Sequence, residues 1–125
     1  MLRYKIIKQR NALDAAKKEM FYPRLSGRRN HDLNDVAEMI SDGSSLTKAD
    51  IVATLVSLEV IIPKLLISGH TVKLGELGIF SLQAKTSTSS DESQVTWRSF
   101  KSLITRFRAG KALKIRLSDV HFKKM

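Results

Sequence analysis

The chain has 125 residues, with 22 Lys and Arg against 12 Asp and Glu for a net charge of +10, and no cysteine. That length fits one modest domain whose surface still competes with its interior. The missing cysteines exclude disulfides and thiolate metal sites and are compatible with an intracellular, reducing location, while the charge argues for a polyanionic partner more than for any fold.

The opening Met1 to Arg10 alternates charged with apolar residues and lacks the continuous apolar core of a secretion signal. Tyr4–Arg10 and Met20–Leu25 are predicted as short strands around a polar connector, Asn11–Glu19. The run Ser26-Gly27-Arg28-Arg29-Asn30-His31 is rich in turn formers and in positive charge. It marks the expected boundary between a basic N-terminal β extension, residues 1–31, and a main body, residues 32–125.

Asp32 is a good N-cap for a helix whose apolar positions Leu33, Val36, Ala37 and Ile40 follow helical spacing, and Ser41-Asp42-Gly43-Ser44 ends it. Thr47, with Asp50 three residues on, resembles a capping box and opens a long helix to about Ser68, stopped by Gly69. Pro63 is expected to kink that helix, because it cannot donate to the carbonyl of Glu59. From Ile51 to Ile67 apolar side chains cover nearly the whole circumference, and a helix apolar all round must be buried all round. Glu59, Pro63 and Lys64 interrupt this stretch, which argues against a membrane span. A monomer this small has little with which to cover it, so a homodimer is expected, with helices packed across a two-fold axis. The alternative is a central helix covered by the N-terminal strands.

A strand His70–Leu74, a turn Gly75-Glu76-Leu77-Gly78 and a strand Ile79–Lys85 follow. Thr86–Gln94 is polar, free of Lys and Arg, and carries Asp91 and Glu92, so it reads as a flexible hairpin tip. A returning strand is expected from Val95 through Phe107, with an interruption near Ser99–Ser102; Lys111–Leu117 is a final short helix, and Ser118–Met125 a basic tail. Trp97 is expected to pack on the core, as are Phe80 and Phe107.

Charge is segregated along this order. Residues 1–31 carry nine bases and two acids, residues 32–97 four bases and nine acids, and residues 98–125 nine bases and one acid. Generic solubility does not require such a partition; it implies a polarised surface if the two ends fold onto one face.

Two capped helices, a β-hairpin with Leu77-Gly78-Ile79-Phe80, an arm at about residues 81–105, and the run Phe107-Arg108-Ala109-Gly110-Lys111-Ala112-Leu113-Lys114 together resemble the HU/IHF family of bacterial histone-like DNA-binding proteins. The resemblance spans about Asp32 to Leu117, and the added strands before it resemble an HU-like variant group with an N-terminal extension. What it implies is an α+β fold in an intertwined homodimer, with a basic saddle and paired β-arms holding double-stranded DNA, and a proline at each arm tip wedged between base pairs. Lys111 and Lys114 match the family's basic positions at the last helix, and Arg108 the one before its Gly-Lys. Three departures bear on this. Glu76 stands where the family has the first glycine of its turn, Ala109 replaces a frequent proline, and Thr86–Trp97 has neither a proline nor a cation, which makes intercalation and strong bending doubtful.

The function expected is therefore non-sequence-specific duplex DNA binding by a nucleoid-associated, cytoplasmic homodimer, through counterion release at phosphates. Lys111 leads the candidate contacts, because a helix start already favours an anion. Arg106, Arg108, Lys114, Lys101 and Arg98 follow, with Lys85 at the arm base and Arg28 and Arg29 at the junction. RNA would use the same charges. The other reading is a protein-interaction or structural module that keeps the HU fold with reduced DNA binding. His31, His70 and His121 lack metal-ligand spacing, and no paired-carboxylate or nucleotide-binding motif is present. No enzyme, metal, cofactor, small-molecule substrate or membrane is expected.

Overall fold

In a computed structural model the described residues are 1–9 and 19–125. Among them the order is β1 (Leu2–Gln9), β2 (Met20–Leu25), α1 (Leu33–Asp42), α2 (Lys48–Ile67), β3 (Val72–Leu74), β4 (Gly78–Thr86), β5 (Phe100–Ala109), α3 (Lys111–Ser118) and β6 (Phe122–Lys124). The fold is mixed α+β, with three-stranded sheets ordered β2-β1-β6 and β3-β4-β5. The connector expected at Asn11–Glu19, and Arg10 of the first strand, lie outside the described residues apart from Glu19. Its Oε1 accepts from Lys8 Nζ at 2.7 Å.

Helix boundaries follow from side-chain caps. Asp32 accepts from the Asp35 backbone N–H while the Asp35 carboxylate accepts from the Asp32 N–H, a reciprocal capping box that starts α1. Thr47 Oγ1 accepts from Asp50 N at 3.2 Å and starts α2. The helix then runs without a break through Pro63 to its C-cap, Ser68. His70 N donates to Leu65 O at 3.0 Å as part of the helix ending, so β3 begins at Val72 and not at His70 as the sequence suggested.

Two further expectations change. The returning strand begins at Phe100, not Val95, because Val95 closes one 3-10 turn (Glu92–Gln94) and Thr96 opens another (Trp97–Ser99). Thr96 Oγ1 accepts from Arg98 N, and Ser99 Oγ accepts from Thr96 N. Local hydroxyl and carboxylate bonds thus satisfy backbone groups that a strand would pair across the sheet. In the segment that its composition marks as a flexible tip, Asp91 Oδ1 accepts from Ser93 N, and the backbone N–H of Ser87 donates to Ser99 O across the arm. The expected basic tail contains β6, which pairs in parallel with β1, Leu2 opposite Phe122 and Tyr4 opposite Lys124.

Packing inside one chain is thin. Only Ala37, Ile51 and Leu66 are buried among the apolar residues described, and the accessible surface is 11181 Å². A compact monomer of this mass exposes about 6,700 Å². Helix α2 packs against α1, β3 and β4. Val60 nevertheless stays 66% exposed and Ile67 79% exposed, so neither the rest of the body nor the N-terminal strands cover this helix.

Candidate functional site

Strand alternation sorts the β3-β4-β5 sheet into two faces. One carries Val72, Leu74, Phe80, Leu82 and Phe107, and the rings of Phe80 and Phe107 lie 5.0 Å apart at a 49° tilt. The other carries cations. Lys73 lies opposite Ile79, which lies opposite Arg108; the next rows along are Ser81 with Arg106, Gln83 with Ile104, and Lys85 with Ser102. Lys73, Lys85, Arg106 and Arg108 therefore share one face, all exposed. Arg106 Nε donates to Gln83 Oε1 at 2.7 Å, which fixes that guanidinium on the face.

Lys111 joins this face through a close backbone approach. Gly110 N donates to Leu77 O at 2.9 Å, so the β3–β4 turn is bonded to the start of α3. A side chain at Gly110 would overlap the Glu76 carbonyl, and one at Gly78 would sit 2.7 Å from the Phe107 ring. Gly75 adopts the left-handed conformation (φ +53°), so it supplies the turn's freedom although Glu76 stands beside it. The resulting concavity is lined by Lys73, Glu76, Ile79, Arg108, Gly110 and Lys111.

The N-terminal end of α3 opens at this junction. Its N-cap is Gly110, which provides no side-chain acceptor, so the first N–H groups of the helix lack a capping partner. Lys111 is the first helical residue, and Lys114, three positions on, lies on the same side. Free donors, the positive end of the helix dipole and Lys111, which lines the concavity, meet there.

The structure thus places Arg108 and Lys111 around one concavity with Lys73, which sequence reasoning left out; Arg106 and Lys85 lie farther along the same sheet face, and Lys114 lies one turn into α3. The signal was present in the alternation of Val72-Lys73-Leu74, but Lys73 lies in the acidic middle of the chain. Lys101 is the unpaired residue at a bulge, where Lys85 faces Ser102 and Thr86 faces Phe100. Arg98 lies on the arm's second 3-10 turn with its guanidinium 5.3 Å from the Trp97 ring centroid. Trp97 is 76% exposed, against the expectation that it packs on the core. Arg28 and Arg29 are exposed in the β2–α1 connection, and Arg28 lies beside Lys5 and Arg24 of the other sheet.

Among the described residues no group of His, Asp and Glu has the arrangement of a metal site, and no helix is long and apolar enough to cross a membrane.

A family model described as an HU domain fused to wHTH, Ig or glycine-rich motif matches residues 1–124. No curated protein sequence matches the chain. Among solved structures, a presumed bacterial DNA-binding protein from Bacteroides vulgatus ATCC 8482 superposes with a TM-score of 0.68 at 14% identity, covering 99% of this chain and 47% of that one. The chain spans about half the length of that protein, and at this identity the likeness speaks to the fold.

Proposed function

Because the chain belongs to the family of HU domains fused to wHTH, Ig or glycine-rich motifs, we propose that it binds double-stranded DNA without base specificity, as a homodimer, through phosphate contacts. The observation that carries this reading is the convergence of Lys73, Arg108 and Lys111 at an uncapped helix start, with Arg106 and Lys85 on the same hairpin face. Exposed cations on a strand and free N–H groups at a helix end are both phosphate ligands, and neither reads a base.

The unburied α2 supports the homodimer. A second copy would cover Val56, Val60 and Ile61, and would bring two basic faces to one duplex. The arm holds Asp91 and Glu92 at its end and no proline, so it contributes no wedge, and binding proceeds with little intercalation. A location with the nucleoid in the cytoplasm follows from the same reading.

Titration of a duplex across a salt series tests it. Log affinity should fall linearly with log salt, and Lys111→Ala should reduce that slope by about 0.9 for each phosphate that the lysine neutralises. A flat dependence, or no binding at low salt, overturns the proposal; better competition by RNA than by DNA would reassign the partner. The acidic arm end favours a second reading, a protein-interaction module on the same fold. Specific capture of a protein together with failure to retain DNA would select it.

A further inference from the structure

The β2-β1-β6 sheet has two faces of different chemistry. On one, Leu2 faces Phe122, Tyr4 faces Leu25 and Ile6 faces Pro23 in a mainly apolar surface, on which Lys8 lies opposite Phe21 and Lys124 opposite Tyr4. On the reverse, Lys5 lies directly opposite Arg24, and Arg3 directly opposite Lys123. All four are exposed, and Arg28 borders the same surface beside Lys5 and Arg24. The remaining strand positions on this face are Ile7, Gln9, Met20 and Tyr22, so the strands place no acid there. The two ion pairs found among the described residues, Lys8–Glu19 and His31–Asp35, involve none of these cations.

Like charges directly opposite one another destabilise a sheet, and here two such pairs stand side by side. Direct partners lie about 5 Å apart and alternate residues along a strand about 7 Å apart, so four positive charges share a very small area. Edge protection does not explain them, because Arg3 and Lys5 belong to β1, the central strand. Solubility would be served equally by mixed signs. An arrangement that weakens the sheet by itself is relieved by a polyanion laid across it.

We propose that this face is a second phosphate-contacting surface, made by Arg3, Lys5, Arg24 and Lys123, which engages phosphodiester backbone beyond that held by the hairpin and α3. It exists only because β6 returns to β1 and sets Lys123 beside Arg3. The inference rests on the DNA-binding reading above, and the experiment separates the two.

The full chain carrying Arg3→Gln, Lys5→Gln, Arg24→Gln and Lys123→Gln is compared with the unaltered chain and with an Arg106→Gln, Arg108→Gln, Lys111→Gln variant, each titrated with duplexes of graded length across a salt series. The sheet variant should lose between about 0.9 and about 3.6 of the log–log salt slope per chain, according to how many of its four cations touch phosphate. A shorter minimal duplex in that variant places the contacts on the flanks of one DNA molecule, whereas loss of bridging between two labelled duplexes places them on a second; both support the surface. An unchanged slope and length dependence, with the hairpin variant impaired, overturns this inference alone. If the unaltered chain does not bind at low salt, the underlying reading falls with it. Lys5→Glu guards against a folding artefact, because it sets opposite charges across from each other at Arg24. Its thermal midpoint should rise while duplex affinity falls severalfold; a drop in both would assign Lys5 a structural role and overturn the proposal.

Discussion

Gly110 does two jobs at one position: its N–H closes the turn through Leu77 O, and its missing side chain lets the Glu76 carbonyl approach. Gly110→Ala should therefore cost about 1–3 kcal/mol, the usual range for forced overpacking, read as a lower denaturant midpoint with an unchanged m-value. It should also weaken anion binding at Lys111 by moving the start of α3. At the other end of the body, the backbone N–H of Asp35 bonded to Asp32 holds the Asp32 carboxyl below its ordinary value of 3.8. A depressed folded-state pKa contributes stability that is present above the ordinary value and is lost as pH falls through the folded one. Acid unfolding should show this, and Asp32→Asn, which keeps an acceptor but does not titrate, should flatten the curve below about that pH.

At the scale of elements, α2 shows what a single chain lacks. Val60→Glu puts a charge on its exposed apolar side. In a dimer that packs this helix, the change should shift the mass from light scattering to the monomer at micromolar concentration; a monomeric mass for the unaltered chain would remove the premise. The helices are legible in the sequence because their signals are local: Asp32 and Thr47 cap them within three residues, and apolar spacing marks the turns. The hairpin is legible from Gly75 and Gly78 for the same reason. Val95–Ser99 is not, because Thr96 and Ser99 bond to nearby backbone instead of a partner strand, and no propensity marks that choice. β6 escapes sequence reasoning because nothing in Phe122-Lys123-Lys124 names β1 as its neighbour. Of the site, the cations near Gly110 are readable from their run in sequence. For Lys73 the alternation of Val72-Lys73-Leu74 gives its side of the strand, but only the register of β3 against β4 sets it in the same row as Arg108.

For the molecule as a whole, the segregated charge resolves into two surfaces: a hairpin and helix face from the middle and late chain, and a sheet face built jointly by the two ends. The early and late basic segments meet by pairing, since Arg3 and Lys123 become neighbours. That pairing has a kinetic side. The caps, the helices and the β3-β4-β5 sheet close over short sequence distances, whereas β1 must find β6 across the whole body between Leu2 and Phe122, a search whose entropy cost grows with loop length and which slows folding. In refolding followed by pulsed hydrogen exchange, the Leu2 amide, bonded to His121 O, and the Met125 amide, bonded to Tyr4 O, should be protected after those of α1 and α2. During synthesis the first strand emerges long before its parallel partner. Until β6 has been made, the side of β1 that it covers has no partner strand.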